Sequence, residues 1–112
     1  MKKILIGLLF PFFCSAAQAG TASGTVQYID VRQSDGLIYF MINGTNAGRP
    51  ACAKMPYWML GNNSNSNTPV VKQQLALLMQ AAATGKAVNV SGTGNCGFWI
   101  DGEDVNDIQL VP

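Results

Sequence analysis

Four carboxylates fall within seven residues at Asp101-Gly102-Glu103-Asp104-Val105-Asn106-Asp107, a dense run of chemically capable side chains. Such a run could gather Ca²⁺ through several oxygens, or supply a carboxylate pair for acid/base work. Its spacing does not match the EF-hand loop, and a short acidic turn between strand pieces is ordinarily solvated. The chain contains no histidine, which removes the commonest general base and the commonest zinc ligand. Its serines lie in loops without a nucleophile-elbow motif, and no glycine-rich phosphate loop precedes a helix. The reading is therefore a protein that is not an enzyme, with no catalytic residue, metal or cofactor assigned.

Tyr39, Tyr57, Trp58 and Trp99 are groups on which a sugar ring could stack, with Asn, Ser and Gln side chains supplying hydrogen bonds. The competing role for Phe40, Trp58 and Trp99 is to fill the core.

Residues 1–19 read as a secretory signal. Lys2 and Lys3 give the positive start, Ile4 to Phe13 an apolar run too short to span a bilayer comfortably, and Ala17-Gln18-Ala19 the small-x-small cleavage pattern. The mature domain is then residues 20–112, exported to the periplasm or beyond, with no membrane span. Cys14 raises lipidation as an alternative, but bulky Phe12 and Phe13 precede it where small residues are wanted. Seven Lys and Arg against six Asp and Glu become five against six once Lys2 and Lys3 are removed. A net charge of −1 argues against a phosphate-driven nucleic-acid binder.

Cys52 and Cys96 remain after cleavage. In an oxidising compartment the expected state is one disulfide, worth roughly 3–4 kcal/mol on the chain-entropy model, with two reactive thiols as the alternative.

The elements that must position these groups follow from periodicity. Thr25 to Gln33 alternates and is rich in β-formers, Ser34-Asp35-Gly36 is turn chemistry, and Leu37 to Asn43 returns with Ile38, Phe40 and Ile42 on one face. Gly44 to Pro50 reads as a loop. Ala51 to Leu60 reads as a third strand, with Pro56 at a bulge, an edge or the strand end. Asn62 to Asn67 is a polar, solvated loop. Lys86 to Ser91 and Val105 to Val111 are the last two strands, with a short piece at Phe98 to Ile100. Three strands, a helix and two strands predict a mainly β fold: a five-stranded Greek-key barrel of the OB type, the helix lying between strands three and four. An open α+β sheet is the rival.

The helix runs from Thr68, an N-cap followed by Pro69, to Gly85, which suits the left-handed end position. Val71, Leu75, Leu78 and Ala82 form the expected buried stripe. The opposite side carries Gln73, Ala76, Leu77, Gln80 and Thr84, and between Leu75 and Ala83 nothing is charged. A helix without a charged outer face is usually covered there too, and the expected cover is another copy of the chain.

Ser23-Gly24-Thr25-Val26, Tyr39-Phe40-Met41-Ile42-Asn43-Gly44, Ala51-Cys52, Trp58 and Thr84-Gly85-Lys86-Ala87-Val88 together resemble the B subunit of subtilase cytotoxin and its pertussis-like relatives. The resemblance covers most of residues 20–112 in order, through short motifs. It implies an OB-type barrel, a homopentameric ring with helices about a central pore, binding of sialylated glycans, and an enzymatic A subunit as partner. It implies a glycan contact at Ser23, with Asn43 standing where the family has an acidic contact. The family's tyrosine near the helix end falls in Ala81 to Ala83, and its second-strand cysteine is Met41, which leaves Cys52 to pair with Cys96.

The leading expectation is thus a non-enzymatic, exported, glycan-binding delivery subunit, homopentameric through Gln73, Ala76, Leu77 and Gln80. The alternative is a monomeric periplasmic binding or inhibitor protein that contacts a protein or cell-envelope ligand.

Overall fold

The computed structural model describes residues 18–112, so all but the last two residues of the expected export signal, and Cys14 with them, lie outside the described residues. The fold is mainly β: five strands and one helix, in the order β1 (Thr21–Val31), β2 (Ile38–Ala47), β3 (Trp58–Gly61), α1 (Pro69–Thr84), β4 (Ala87–Gly92) and β5 (Glu103–Leu110). Hydrogen bonding runs β1-β2-β3-β5-β4, and β4 pairs again with β1, so the sheet closes on itself. Every pairing is antiparallel except that of β3 with β5.

The hairpin of β1 and β2 forms as the alternation predicts, and Ile38, Phe40 and Ile42 all point into the core. Its turn is locked by Asp35, whose carboxylate accepts from the Leu37 amide at 3.1 Å and pairs with Arg32 at 2.6 Å. Gly36 follows at φ 66°, a conformation that favours glycine. Both strands run longer than their β-former content indicates. β1 begins at Thr21 because Thr21 to Thr25 pair with Ser91 to Ala87 of β4, and β2 continues through Ala47 opposite that same segment.

The third strand departs most from expectation. Only Trp58–Gly61 is extended, and residues from Ala51 onward turn instead, with Ala53 N donating to Pro50 O and Lys54 N to Cys52 O, each at 3.0 Å. Pro56 has no N–H to offer a ladder, so pairing starts only after it. Trp58, Met59 and Leu60 are all buried, since the short strand lies between β2 and β5. The piece at Phe98 to Ile100 contributes one isolated bridge, Trp99 with Gly102.

The helix bounds match the cap residues. Gly85 takes φ 68°, and Lys86 N reaches back to Ala81 O at 3.1 Å. Thr68 occupies the N-cap, but its hydroxyl donates to Asn65 O and makes no cap bond. The buried stripe is Val71, Leu78 and Ala81 with Leu75 half-buried, while Ala82 is exposed. At 100° per residue this turns the inner face toward the Gln74, Leu77 and Ala81 side. Leu77 therefore packs against the chain's own core, leaving Lys72, Gln73, Ala76, Met79, Gln80 and Ala83 exposed.

The polar stretch before the helix is a built loop. Asn65 Oδ1 accepts from Asn62 N at 2.8 Å, Asn62 Oδ1 accepts from Ser64 N and Oγ, and Asn63 N donates to Asp35 O at 3.0 Å.

Candidate functional site

On β1, Ala22 points inward and Ser23 outward, and the register carries that alternation across four strands. One outer row reads Thr45, Ser23, Asn89, Gln109. The next reads Ala47, Thr21, Ser91, Asp107. Ser23 Oγ donates to Asn89 Oδ1 at 2.6 Å, and Asn89 Nδ2 donates to Gln109 Oε1 at 3.1 Å. This orders three side chains of three strands and leaves the Ser23 lone pairs and the Gln109 amide hydrogens open to a ligand. A shallow groove of about 320 Å³ lies here, lined by Thr21, Ser23, Asn89, Ser91 and Asp107 with Ala22 and Val90 beneath. Asp107 is the only charged side chain in that lining. Neutral hydroxyls and amides in a shallow groove suit hydroxyl-rich ligands.

Asn43 lies on the same outer face. It stands opposite Thr25 and diagonal to Ser23, a relation that spans about 7–8 Å in a strand pair. Gly24 and Gly44 face each other between them. A Cβ on Gly24 would meet the Asn43 carbonyl oxygen, and one on Gly44 the Ser23 carbonyl oxygen. The glycines of these two motifs thus have a packing reason: they let the backbones that carry Ser23 and Asn43 come close.

Along β2 the same face continues through Met41 to Tyr39, about 13 Å from Asn43 at strand rise. Tyr39 packs edge-on to Tyr28 with centroids 6.3 Å apart and against Tyr57 at 5.4 Å. Burial, then the nearby Asp30 charge, raises the Tyr39 phenol above its ordinary value. Among the expected stacking groups, Tyr39 and Tyr57 are half-buried and adjacent. Trp58 is 0 % exposed, so it belongs to the core and offers no platform. Trp99 is half-buried, with the Arg32 guanidinium 4.8 Å from its ring centroid.

The acidic run divides. Asp107 is exposed and Asp101 half-buried, but Glu103 and Asp104 are buried at 0 % and 8 % exposure, which corrects their reading as a solvated turn. Glu103 Oε2 accepts from the amides of Gly20 and Gly94 at 2.9 and 3.0 Å. The Asp104 carboxylate accepts from Gly97 and Phe98 at 2.9 and 3.0 Å. These carboxylates hold the glycine-rich return around Cys96. Among the described residues no three of His, Cys, Asp or Glu come together as a metal-binding group. The glycines at 92, 94 and 97 were the available signal, because a backbone bare of side chains can wrap a buried carboxylate.

Arg49 was not singled out by its sequence context and is largely buried. Its Nη1 and Nη2 donate to the carbonyls of Met55 and Tyr57 at 3.0 and 2.8 Å, and its guanidinium lies 4.2 Å from the Trp58 ring centroid. Desolvation lowers its pKa against the pull of Glu103. Cys52 and Cys96 form the expected disulfide, tying the turn after Arg49 to the return held by Asp104. No helix among the described residues is long and apolar enough to cross a membrane. Compared with known proteins, the chain matches no family model, no curated protein and no solved structure, so the chemistry of this face rests on its own residues.

Proposed function

We propose that residues 20–112 form an exported, non-enzymatic glycan-binding subunit, a receptor-binding component of a toxin-like assembly that forms a homo-oligomer through α1. The observation that carries this reading is the side-chain ladder Ser23–Asn89–Gln109, continued on the same face by Asn43 and by the Tyr39–Tyr57 pair. Hydroxyl and amide groups are what sugar recognition uses, and the aromatic pair lies about 13 Å along β2 from Asn43 as a separate stacking surface. The strand order β1-β2-β3-β5-β4-β1, the parallel β3–β5 pair and the helix between β3 and β4 support an OB-type Greek-key barrel. Exposed Met79, with Ala76 and Ala83 on the same side, gives α1 an outer face suited to a second copy, and the resemblance supplies a ring of five. The disulfide is compatible with export.

Glycan-array binding by residues 20–112 is the direct test. Binding to sialylated or other surface glycans is expected, weakened at least tenfold by Ser23→Ala or Asn89→Ala, a loss of about 1.4 kcal/mol. An array with no bound glycan defeats the reading. Native mass spectrometry reports the subunit number, with five expected and Ala76→Glu disrupting it.

One observation favours the monomeric binding or inhibitor alternative. Leu77, expected to face a neighbour, packs on its own core, which leaves the outer side of α1 less apolar than its sequence indicates. A monomer at micromolar concentration that captures an envelope protein and no glycan would select this alternative.

A further inference from the structure

Glu103 is fully buried on β5, and only one of its carboxylate oxygens is satisfied. Oε2 accepts from Gly20 N at 2.9 Å and Gly94 N at 3.0 Å. Oε1 has no hydrogen-bond partner among the described residues. The facing cation, Arg49, reaches it only with Nε at 3.7 Å, too long for a hydrogen bond, and turns its other nitrogens to the Met55 and Tyr57 carbonyls. A buried carboxylate with an open oxygen lacks a donor, and the deficit is costly.

Gly20 is placed to supply it. Gln18 and Ala19 are exposed, whereas Gly20 is buried and its carbonyl accepts from Gly92 N at 2.9 Å. A Cβ at this position would sit 2.5 Å from Glu103 Oε1 and 2.9 Å from Arg49 Cγ, so only glycine fits against the unsatisfied oxygen. Gly20 is also the first residue after Ala17-Gln18-Ala19, the cleavage pattern of the export signal.

We propose that hydrolysis of the Ala19–Gly20 bond completes this site, and that the Glu103 carboxylate is a receptor for the new α-ammonium group. In the uncleaved chain the Gly20 nitrogen is an amide, with one hydrogen, no charge and a single bond to Oε2. Cleavage by an export-pathway peptidase adds one water across the bond. Ala19 leaves with a carboxylate, and the Gly20 amine takes up a proton. The resulting group has three donors and a positive charge, enough to serve Oε2 and Oε1 together. The charged groups facing it are Glu103 on β5 and Arg49 in the connection from β2 to β3. The Gly20 nitrogen is in direct contact with Oε2, whereas the Arg49 guanidinium is engaged by the Met55 and Tyr57 carbonyls. Processing is then a step of folding, since the mature terminus becomes a buried ion pair. The inference rests on the export-signal reading of residues 1–19 and not on glycan binding.

The test expresses the full chain with its own signal and reads the exported product by intact mass, with Gly20 expected as the first residue. Urea unfolding then compares that product with two others: the same chain Nα-acetylated at Gly20 by semisynthesis, and a chain that retains Ala19 as its first residue. At pH 7 the exported form is expected to have an unfolding constant about tenfold or more below both, because only its α-ammonium group has the donors to serve both Glu103 oxygens. Glu103→Gln is expected to bring the free and acetylated forms to equal stability. If that variant does not fold, the comparison of the three native-sequence chains still decides. Equal stability of those chains at pH 7, or an exported product that starts elsewhere, overturns the proposal. Neither result depends on the glycan array.

Discussion

Replacing Asp104 by alanine tests whether the acidic run is architecture or ligand chemistry. Asp104 accepts from the amides of Gly97 and Phe98 through its two carboxylate oxygens. Its backbone binds the same return twice more, donating to Asn95 O at 2.8 Å and accepting from Thr93 N at 2.9 Å. Alanine keeps the backbone pair and deletes only the carboxylate. Hydrogen bonds to a charged acceptor contribute about 1.5–3 kcal/mol each. Gly97 is exposed and Phe98 half-buried, so water can reach the released amides and each bond counts at the lower end. The expected loss is about 3 kcal/mol for the pair, or a fall in Tm of about 12–24 °C in a domain of this size. Urea unfolding of the oxidised protein, followed by tryptophan fluorescence from buried Trp58 and half-buried Trp99, measures it. Asp104→Asn keeps one acceptor oxygen and turns an NH₂ group toward the other amide, so about half the effect is expected. A loss for Asp104→Ala within about 0.5 kcal/mol, the range of an ordinary surface change, would refute the structural role and return the carboxylate to the pool of ligand-binding groups.

Reduction or Cys52→Ser/Cys96→Ser releases a cross-link spanning 44 residues, for an expected loss of about 4 kcal/mol in the same unfolding assay. Gly24→Ala places a Cβ against the Asn43 carbonyl, a backbone clash that side-chain rotation cannot relieve, and is expected to cost more than about 3 kcal/mol by urea unfolding. The Asp35 carboxyl is held at about 2 by its hydrogen bond with Arg32 and, less strongly, by the Leu37 amide. Its contribution to stability is therefore complete above the ordinary carboxylate value of 3.8 and is lost as pH falls through about 2. Carbon-detected NMR titration should show Arg32→Ala returning Asp35 toward that ordinary value, and an unmoved Asp35 would contradict the assigned cause.

The parts of the fold that were legible are those whose signal is local. The alternation of Ile38, Phe40 and Ile42 specifies a buried strand face, and Pro69 and Gly85 bound the helix by their own backbone restrictions. The helix rotation was not legible. Leucine and alanine occur on several sides of α1, so the choice between Ala81 and Ala82 as the inward residue falls to the sheet beneath. Ala51 to Tyr57 is apolar enough to read as a strand, but the turn at Pro50 to Lys54 and the missing N–H of Pro56 confine β3 to Trp58–Gly61. The burial of Glu103 and Asp104 is hard to read from sequence because their partners are backbone amides up to 83 residues distant. The local trace of those amides is the set of glycines at 92, 94 and 97. At the candidate site, Ser23 and Asn43 were named from resemblance, whereas Asn89 and Gln109 join them only through the β1–β4–β5 register.

That register also separates the polar groups by what they are free to do. Glu103 and Asp104 lie inside, and the acceptor oxygens they use are bound to backbone amides, so altering them perturbs the chain path itself. Ser23, Asn89 and Gln109 lie on exposed strand positions and bond to one another by side chains alone. Replacing any of those three leaves every ladder bond in place and is expected to move stability by no more than about 0.5 kcal/mol. The outer row can therefore be altered without disturbing the strand pairing, while the buried carboxylates hold the return around Cys96. A Ser23→Ala protein that unfolded, or an Asp104→Ala protein of native stability with altered binding, would reverse that division of labour.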